Sequence, residues 1–154
     1  MGHSNLSALN KKLRLTREHW LTMQRYMNKH APLEACGLLA GKNNTVQAVL
    51  EIRNQAQSPV RFVMDPHEQL TAFNWIDSNE LDLLAIFHSH PAGPEAVSET
   101  DIAEAAYAVV HIVCSRKNGK WRARGFWIED GQASEVTLQI VYSRDQVPPA
   151  VFLI

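Results

Sequence analysis

Cysteine is scarce: Cys36 and Cys114 are the only two in 154 residues, and no CxxC pair occurs. That excludes a disulfide scaffold and a structural zinc finger, and it fits a reduced, cytoplasmic setting. No apolar run approaches the roughly 18–20 residues that span a bilayer, so no membrane segment is expected. The opening residues Met1-Gly2-His3-Ser4 lack a charged region followed by an apolar one, which is not the pattern of a signal peptide. Basic runs are also absent and the net charge is −1, so nothing points to a phosphate-binding face or a nucleic-acid partner. Repeats and low-complexity linkers are missing too. What remains is an ordinary globular composition, 45% hydrophobic and 20% charged, in a length that suits one domain.

Read for periodicity, the chain alternates between helical and strand patterns. Residues before about Leu13 are polar and are expected to be loosely held, leaving 13–154 as the domain. Thr16 is placed to cap a helix that carries Trp20, Met23 and Met27 at helical spacing, with Leu15 and Trp20 as a hydrophobic staple. Pro32 stops that helix. Ala35–Gly41 and Val46–Ile52 read as a hairpin turning at Asn43-Asn44, with Gly37 allowing a close approach. Val60–Met64 alternates and reads as a further strand. Asp65-Pro66 starts a second helix, with Asp as N-cap and Pro at the first position. Leu83–Phe87 is a buried strand. Thr100 to about Tyr107 is alanine-rich and reads as a third helix. Strands follow at Val109–Cys114, Trp121–Ile128 and Val136–Val141, joined by Asn118-Gly119 and Asp130-Gly131 turns. The expectation is an α/β single domain, a central mixed β-sheet of about six strands flanked by about three helices. The apolar tail Val151–Ile154 either packs on the core or marks a surface for a homodimer.

Chemistry concentrates at His88-Ser89-His90-Pro91 and Ser98-Glu99-Thr100-Asp101. On a strand, residues two apart leave the same face, so both imidazoles point one way. A lone histidine beside an apolar run is usually structural, but two on one face at the polar end of a strand favour a metal. Ser98-x-x-Asp101 alone reads more simply as a capping box. The two readings are compatible, since a metal needs one carboxylate oxygen. Glu34, after a helix stop, has no role on spacing alone. His111, Cys36 and Cys114 read as buried structural residues, and His19, His30 and His67 carry no assignment.

Together these residues carry a resemblance. The chain resembles the JAMM metalloproteases, also called the MPN+ or JAB family. Their signature is a glutamate well upstream of His-Ser/Thr-His-Pro, then seven residues, then Ser-x-x-Asp. Here Glu34, His88-Ser89-His90-Pro91 and Ser98-x-x-Asp101 match, with seven residues between His90 and Ser98. The stretch Pro32–Gly41, the Phe62…Asp65-Pro66 segment and the strand around Arg124-Gly125-Phe126 are similar as well. The resemblance implies a JAB/MPN fold, which is cytidine-deaminase-like, of the stand-alone prokaryotic type. It implies Zn2+ held by His88, His90 and Asp101, with Glu34 as general base and Ser98 as oxyanion donor. It implies hydrolysis of an amide or isopeptide bond after the C-terminal glycine of a ubiquitin-like or sulfur-carrier protein, whose extended tail adds to a sheet edge. Two other readings remain at this point: a non-catalytic MPN-type binding or scaffold module, and a RadC-like DNA-associated protein.

Overall fold

The computed structural model describes residues 12–142. The polar N-terminal residues through Asn10 and Lys11, and the Val151–Ile154 tail, lie outside the described residues. The chain opens with a strand that periodicity did not reveal, β1 (Lys12–Thr16), and passes directly into α1 (Arg17–His30). Thr16 is the N-cap, and its partner in the capping box is unusual. Thr16 Oγ1 accepts from the His19 backbone N–H, while His19 Nδ1 accepts from the Thr16 N–H at 3.2 Å. A ring nitrogen thus does what a glutamate side chain does in the common form of the box.

β2 (Cys36–Lys42) and β3 (Thr45–Ile52) form the expected hairpin. Its turn residues Asn43 and Asn44 both have positive φ, 53° and 60°, the left-handed geometry that suits the twist of paired strands. α2 (Pro66–Ser78) begins as expected, with Asp65 accepting from the His67 and Glu68 N–H groups and Pro66 at the first position. β4 (Asp82–His90) runs through the centre, followed by a long connection containing α3 (Glu99–Ala103). β5 (Val110–Lys117), β6 (Lys120–Glu129) and β7 (Gln132–Val141) complete the sheet.

The strand order is β3-β2-β4-β5-β6-β7-β1. β4–β5 and β7–β1 are parallel and the other pairs in that order antiparallel, so the sheet is mixed, as expected. The sheet curves until β1 meets β3 again, but only through the pair Arg14–Thr45 and one Arg14 N–H to Asn44 carbonyl bond. One residue pair is a seam rather than a continuous ladder, so the architecture is a strongly curved sheet with helices on both faces.

Strand alternation sorts the core into two layers. Leu39, Ala85, Phe87 and Ile112 face one way and pack with Met23 and Met27 of α1. Leu38, Leu50 and Ile86 face the other way and pack with Ala72 and Ile76 of α2. His88 and His90 continue the Ile86 side, so they emerge on the α2 face at the carboxyl end of β4. That end, beside a parallel neighbour strand, is where open α/β sheets bind ligands.

Two expected elements differ. Val60–Met64 is not a strand: Val60 lies in a bend, and the segment's single ladder contact among the described residues is the isolated Asn54–Met64 bridge. Side-chain bonds from Asn54 take the place of a neighbouring strand there. The third helix spans Glu99–Ala103 rather than Thr100–Tyr107, and buries none of its residues. A run of alanines with no apolar face to bury has propensity but nothing to dock on, and so short a helix is marginal without docking.

Gly37 is fully enclosed between neighbours. A Cβ there would stand 2.5 Å from the Leu50 carbonyl oxygen and 2.5 Å from the Phe87 ring. Gly37→Ala should therefore destabilise the protein by about 2 kcal/mol or more, since either backbone or ring must shift. Urea denaturation checks this, and an unchanged midpoint would show that the enclosure is relaxed in solution.

Candidate metal centre

The geometry follows from the register of β2 on β4. Cys36 lies opposite His88 and Gly37 opposite Phe87. Continuing that register past the end of β2 puts Ala35 opposite Ser89 and Glu34 opposite His90. The Ala35–Ser89 pair is closed twice: the Ser89 N–H donates to the Ala35 carbonyl at 2.9 Å, and the Ala35 N–H donates to Ser89 Oγ at 2.8 Å. Ser89 points to the α1 face, away from the two histidines, and is fully buried. Its hydroxyl clamps the segment that carries Glu34. The Glu34 N–H donates to the Ser58 carbonyl at 2.8 Å, and its own carbonyl accepts from Asn54 Nδ2 at 3.0 Å.

The remaining groups arrive from the connection after β4. Ser98 caps α3, with its Oγ accepting from the Asp101 N–H at 3.0 Å and its own N–H donating to Asp101 Oδ2 at 2.8 Å. The capping box read from the sequence is present, with aspartate in the position that glutamate commonly takes. Because Ser98 Oγ accepts in this bond, its hydroxyl proton stays free to donate elsewhere. Asp101 Oδ2 lies 3.2 Å from His88 Nε2 and 3.3 Å from His90 Nε2, and the two Nε2 atoms are 2.9 Å apart. Glu34 Oε2 is 4.0 Å from His90 Nε2. His90 Nδ1 lies 2.9 Å from the Pro94 carbonyl, which can only accept. The His90 proton is therefore assigned to Nδ1, leaving the Nε2 lone pair aimed into the cluster.

All five residues singled out in the sequence thus meet at one end of the sheet. His111 lies beside them, buried, with Nε2 at 3.4 Å from the Tyr107 carbonyl. Cys36 and Cys114 are free and buried. Three contributors were not anticipated. Phe62 stacks on His88 with ring centroids 4.4 Å apart. Asn54 and Ser89 hold the backbone around Glu34. Ser89 had a signal in the sequence through its place between the two histidines, and Phe62 through the segment that shares the family resemblance, whereas Asn54 had none.

Burial and charge pull the ionisable groups apart. Burial raises Glu34 to about 7, with nearby His90 opposing the shift and Asp101 adding to it. Burial lowers His88 and outweighs its hydrogen bond to Asp101, so that imidazole is held neutral. Burial would raise Asp101, but the His88 and His90 rings against Oδ2, with the Ser98 N–H, overcome it and hold the carboxyl well below the usual carboxylate range. His88 is thus a neutral imidazole beside a firmly ionised carboxylate, while burial would lower His90 but Asp101, the Pro94 carbonyl and Glu34 overcome it and raise that ring.

Two overlapping sets of donors fit a cation. Ligand atoms of Glu34, His88 and His90 lie within 4.8 Å of one another. Those of His88, His90 and Asp101 are closer, at 2.9, 3.2 and 3.3 Å. Three donors about 2.0–2.1 Å from a tetrahedral ion stand roughly 3.3 Å apart, so the second set fits the tighter coordination. Glu34 Oε1 is buried with no hydrogen-bond partner among the described residues. A buried acceptor in that state costs about 1–3 kcal/mol unless something occupies the space it faces.

A mixed α/β sheet with imidazole and carboxylate donors at the end of β4 defines a class of α/β domains with a candidate cation site. Residues 16–127 match the prokaryotic homologs of the JAB domain, and the chain belongs to that family. A desampylase of Pyrococcus furiosus is 35% identical over 126 residues, which cover 80% of this chain and 87% of the relative. A probable TtuB-protein conjugate cleaving protease of Thermus thermophilus is 35% identical over 117 residues, covering 75% and 74%. A CysO-cysteine peptidase of Mycobacterium tuberculosis is 28% identical over 123 residues, covering 77% and 84%. Among solved structures, the Desulfitobacterium hafniense protein DSY2949 superposes with a TM-score of 0.78 at 30% identity, over 86% of this chain and 95% of that one.

The Glu34 shift predicts a pH effect in the metal-free protein. A carboxyl raised on folding favours the folded state at low pH. That contribution is lost as pH climbs from the unfolded value near 4.3 through about 7. Glu34→Gln should therefore stabilise the metal-free protein at pH 8, by on the order of 1–3 kcal/mol, and much less at pH 4. Denaturation midpoints at the two pH values measure it, and an equal change at both would remove burial of the charge as the cause.

Proposed function

We propose that this protein is a zinc-dependent hydrolase that cleaves an amide or isopeptide bond after the C-terminal glycine of a ubiquitin-like or sulfur-carrier protein. One observation carries this reading: three donors, His88 Nε2, His90 Nε2 and Asp101 Oδ2, converge at 2.9–3.3 Å beside a buried, unpartnered Glu34 carboxylate oxygen. In this reading His88, His90 and Asp101 are the zinc ligands. Glu34 is kept as the base because its carboxylate stands further off, 4.0 Å from His90 Nε2, which leaves room for a water between them. Bound zinc supplies Lewis acidity, lowering the pKa of a water to about 7.

Glu34 takes the proton from the attacking water as its oxygen bonds to the carbonyl carbon. It then hands that proton to the nitrogen as the C–N bond breaks, so the amine leaves neutral. Ser98 donates a hydrogen bond from its hydroxyl to the oxyanion, a contribution of about 3–4 kcal/mol in comparable sites. The His90 Nδ1 contact with Pro94 keeps that ring in one tautomer throughout.

The cleft beside the centre supports the substrate class. It holds about 220 Å³ and is lined by Val60, Phe62, Met64, His88, Asp101 and Tyr107, among others. Arg61 and Val63 turn backbone groups inward to Asn54, whereas the Phe62 N–H and C=O make no hydrogen bond among the described residues. An extended tail can add to that edge as a strand and bring its last carbonyl toward the centre. Val60 and Tyr107, exposed at 83% and 40%, offer apolar contacts alongside. The relatives' names point the same way, toward cleavage of protein conjugates and of a CysO-cysteine bond. A full set of donors and base argues against a scaffold module, and the chain's near-neutral balance against DNA binding. Two free, buried cysteines suit a reducing cytoplasm, and no described helix is long and apolar enough to cross a membrane.

The test uses a ubiquitin-like domain joined through its terminal glycine to a lysine side chain, with cleavage followed by mass spectrometry. Glu34→Gln should keep its zinc and lose about 10²–10⁴-fold in rate. A variant that still turns over at the wild-type rate would remove Glu34 as the base. His88→Ala should lose zinc by elemental analysis, and unchanged zinc content would strike His88 from the ligands.

A further inference from the structure

Asn54 is 8% exposed and makes every hydrogen bond its side chain allows. Nδ2 donates to the Glu34 carbonyl at 3.0 Å and to the Arg61 carbonyl at 3.0 Å. Oδ1 accepts from the Ala56 N–H at 3.0 Å and the Val63 N–H at 2.9 Å. One carboxamide therefore ties three stretches of chain together: the residue carrying Glu34, the turn after β3, and the extended Arg61–Val63 segment. Between Arg61 and Val63 sits Phe62, whose ring lies flat on His88. The side chain itself reaches neither the donor cluster nor the open cleft, since its four bonds all end on backbone.

We propose that Asn54 is the positioning residue of this site, setting the Glu34 carboxylate and the Phe62 wall of the cleft in one fixed relation. This inference rests on the hydrolase reading above. The physical reason is that both segments lie where the ladders stop, and Asn54 is the one side chain that bonds to both: the Ala35–Ser89 pair and the Glu34 N–H to Ser58 carbonyl bond hold Glu34 to β4 and to the loop, but neither ties it to Arg61–Val63. Arg61–Val63 has no adjacent strand, only the Asn54–Met64 bridge and the Gln55 N–H to Val63 carbonyl bond. Glu34 lies beyond the end of β2, where the β2–β3 ladder has already stopped at the Cys36–Ile52 pair. A side-chain amide replaces the missing ladder on both sides at once. It does so with two donors and two acceptors in one plane, which no other side chain of that size supplies. Asn54→Asp keeps both acceptor bonds but turns an oxygen toward two carbonyls, so it removes the hold on Glu34 and Arg61 while sparing Ala56 and Val63.

The experiment compares zinc-loaded wild type, Asn54→Ala and Asn54→Asp on the glycine–lysine conjugate, well below each variant's melting temperature. Both variants should lose about 10²-fold in kcat, with KM within about three-fold and zinc content unchanged, since a misplacement of about 1 Å in a catalytic group costs that much. A residue that only stabilises the fold would lower the melting temperature and leave kcat of the folded protein intact. A kcat within about three-fold of wild type for Asn54→Asp would overturn the proposal. Should Asn54→Ala fail to fold, Asn54→Asp alone decides. Should wild type not cleave the conjugate, the hydrolase reading fails, and amide hydrogen exchange decides the positioning role separately. Faster exchange confined to the Glu34, Ala56 and Val63 amides in Asn54→Ala supports it, and unchanged exchange there overturns it.

Discussion

The doubly hydrogen-bonded pair between Ala35 and Ser89 is the contact on which the rest of the site depends. It extends the β2–β4 register by one residue beyond the last ladder pair. A register is a discrete quantity: slipping it by one would turn every side chain to the opposite face. Glu34 and His90, some fifty residues apart in the chain, are neighbours because that register is held. The Ser89 hydroxyl does this from the far side of the strand, so the residue between two metal-type ligands serves the sheet rather than the chemistry. The close approach at Gly37, with no room for a side chain, lets the two strands sit near enough for it to work.

The same packing creates the electrostatics. Glu34, His88 and His90 are buried and Asp101 is nearly so, in a space where their ionisable atoms stand a few ångströms apart. This arrangement is costly in itself, because a buried carboxylate oxygen lacks a partner among the described residues and two imidazole nitrogens stand 2.9 Å apart. Burial holds His88 neutral and lifts Glu34, while the two histidine rings against its carboxylate hold Asp101 ionised. The fold supplies stability elsewhere, in two apolar layers on either side of the sheet.

The cleft beside the centre is organised differently. Its wall is irregular chain, held by the Asn54 carboxamide and not by a ladder. This explains why the Val60–Met64 alternation, a fair strand signal, does not give a strand: the inner side of the segment is occupied by one side chain. Its outer side stays open for another chain. An alternating pattern reports backbone conformation and facing, and says nothing about whether a neighbour is present. The overlong helix expected at Thr100–Tyr107 has a similar origin. Alanine propensity is a local quantity, and the α3 segment finds no apolar surface to extend along.

Much of the site was legible in the chain itself because its signals are short in range. The spacing of His88 and His90 on a strand, the Ser98-x-x-Asp101 cap, the glycine in β2 and the turn asparagines each act within a few residues, where backbone geometry is fixed by local sterics. The resemblance of those motifs to a known family joined Glu34 to them. What only tertiary structure decided are the relations between segments with no sequence periodicity. These are the β1 strand paired to β7, the Asn54 ties, the Phe62 ring on His88, and the distances that separate three close donors from a fourth, more distant carboxylate. Side chains that bond to backbone from across the fold leave no pattern of spacing. A local pattern fixes which way a side chain points, whereas the partner it meets is set by sheet register and loop closure.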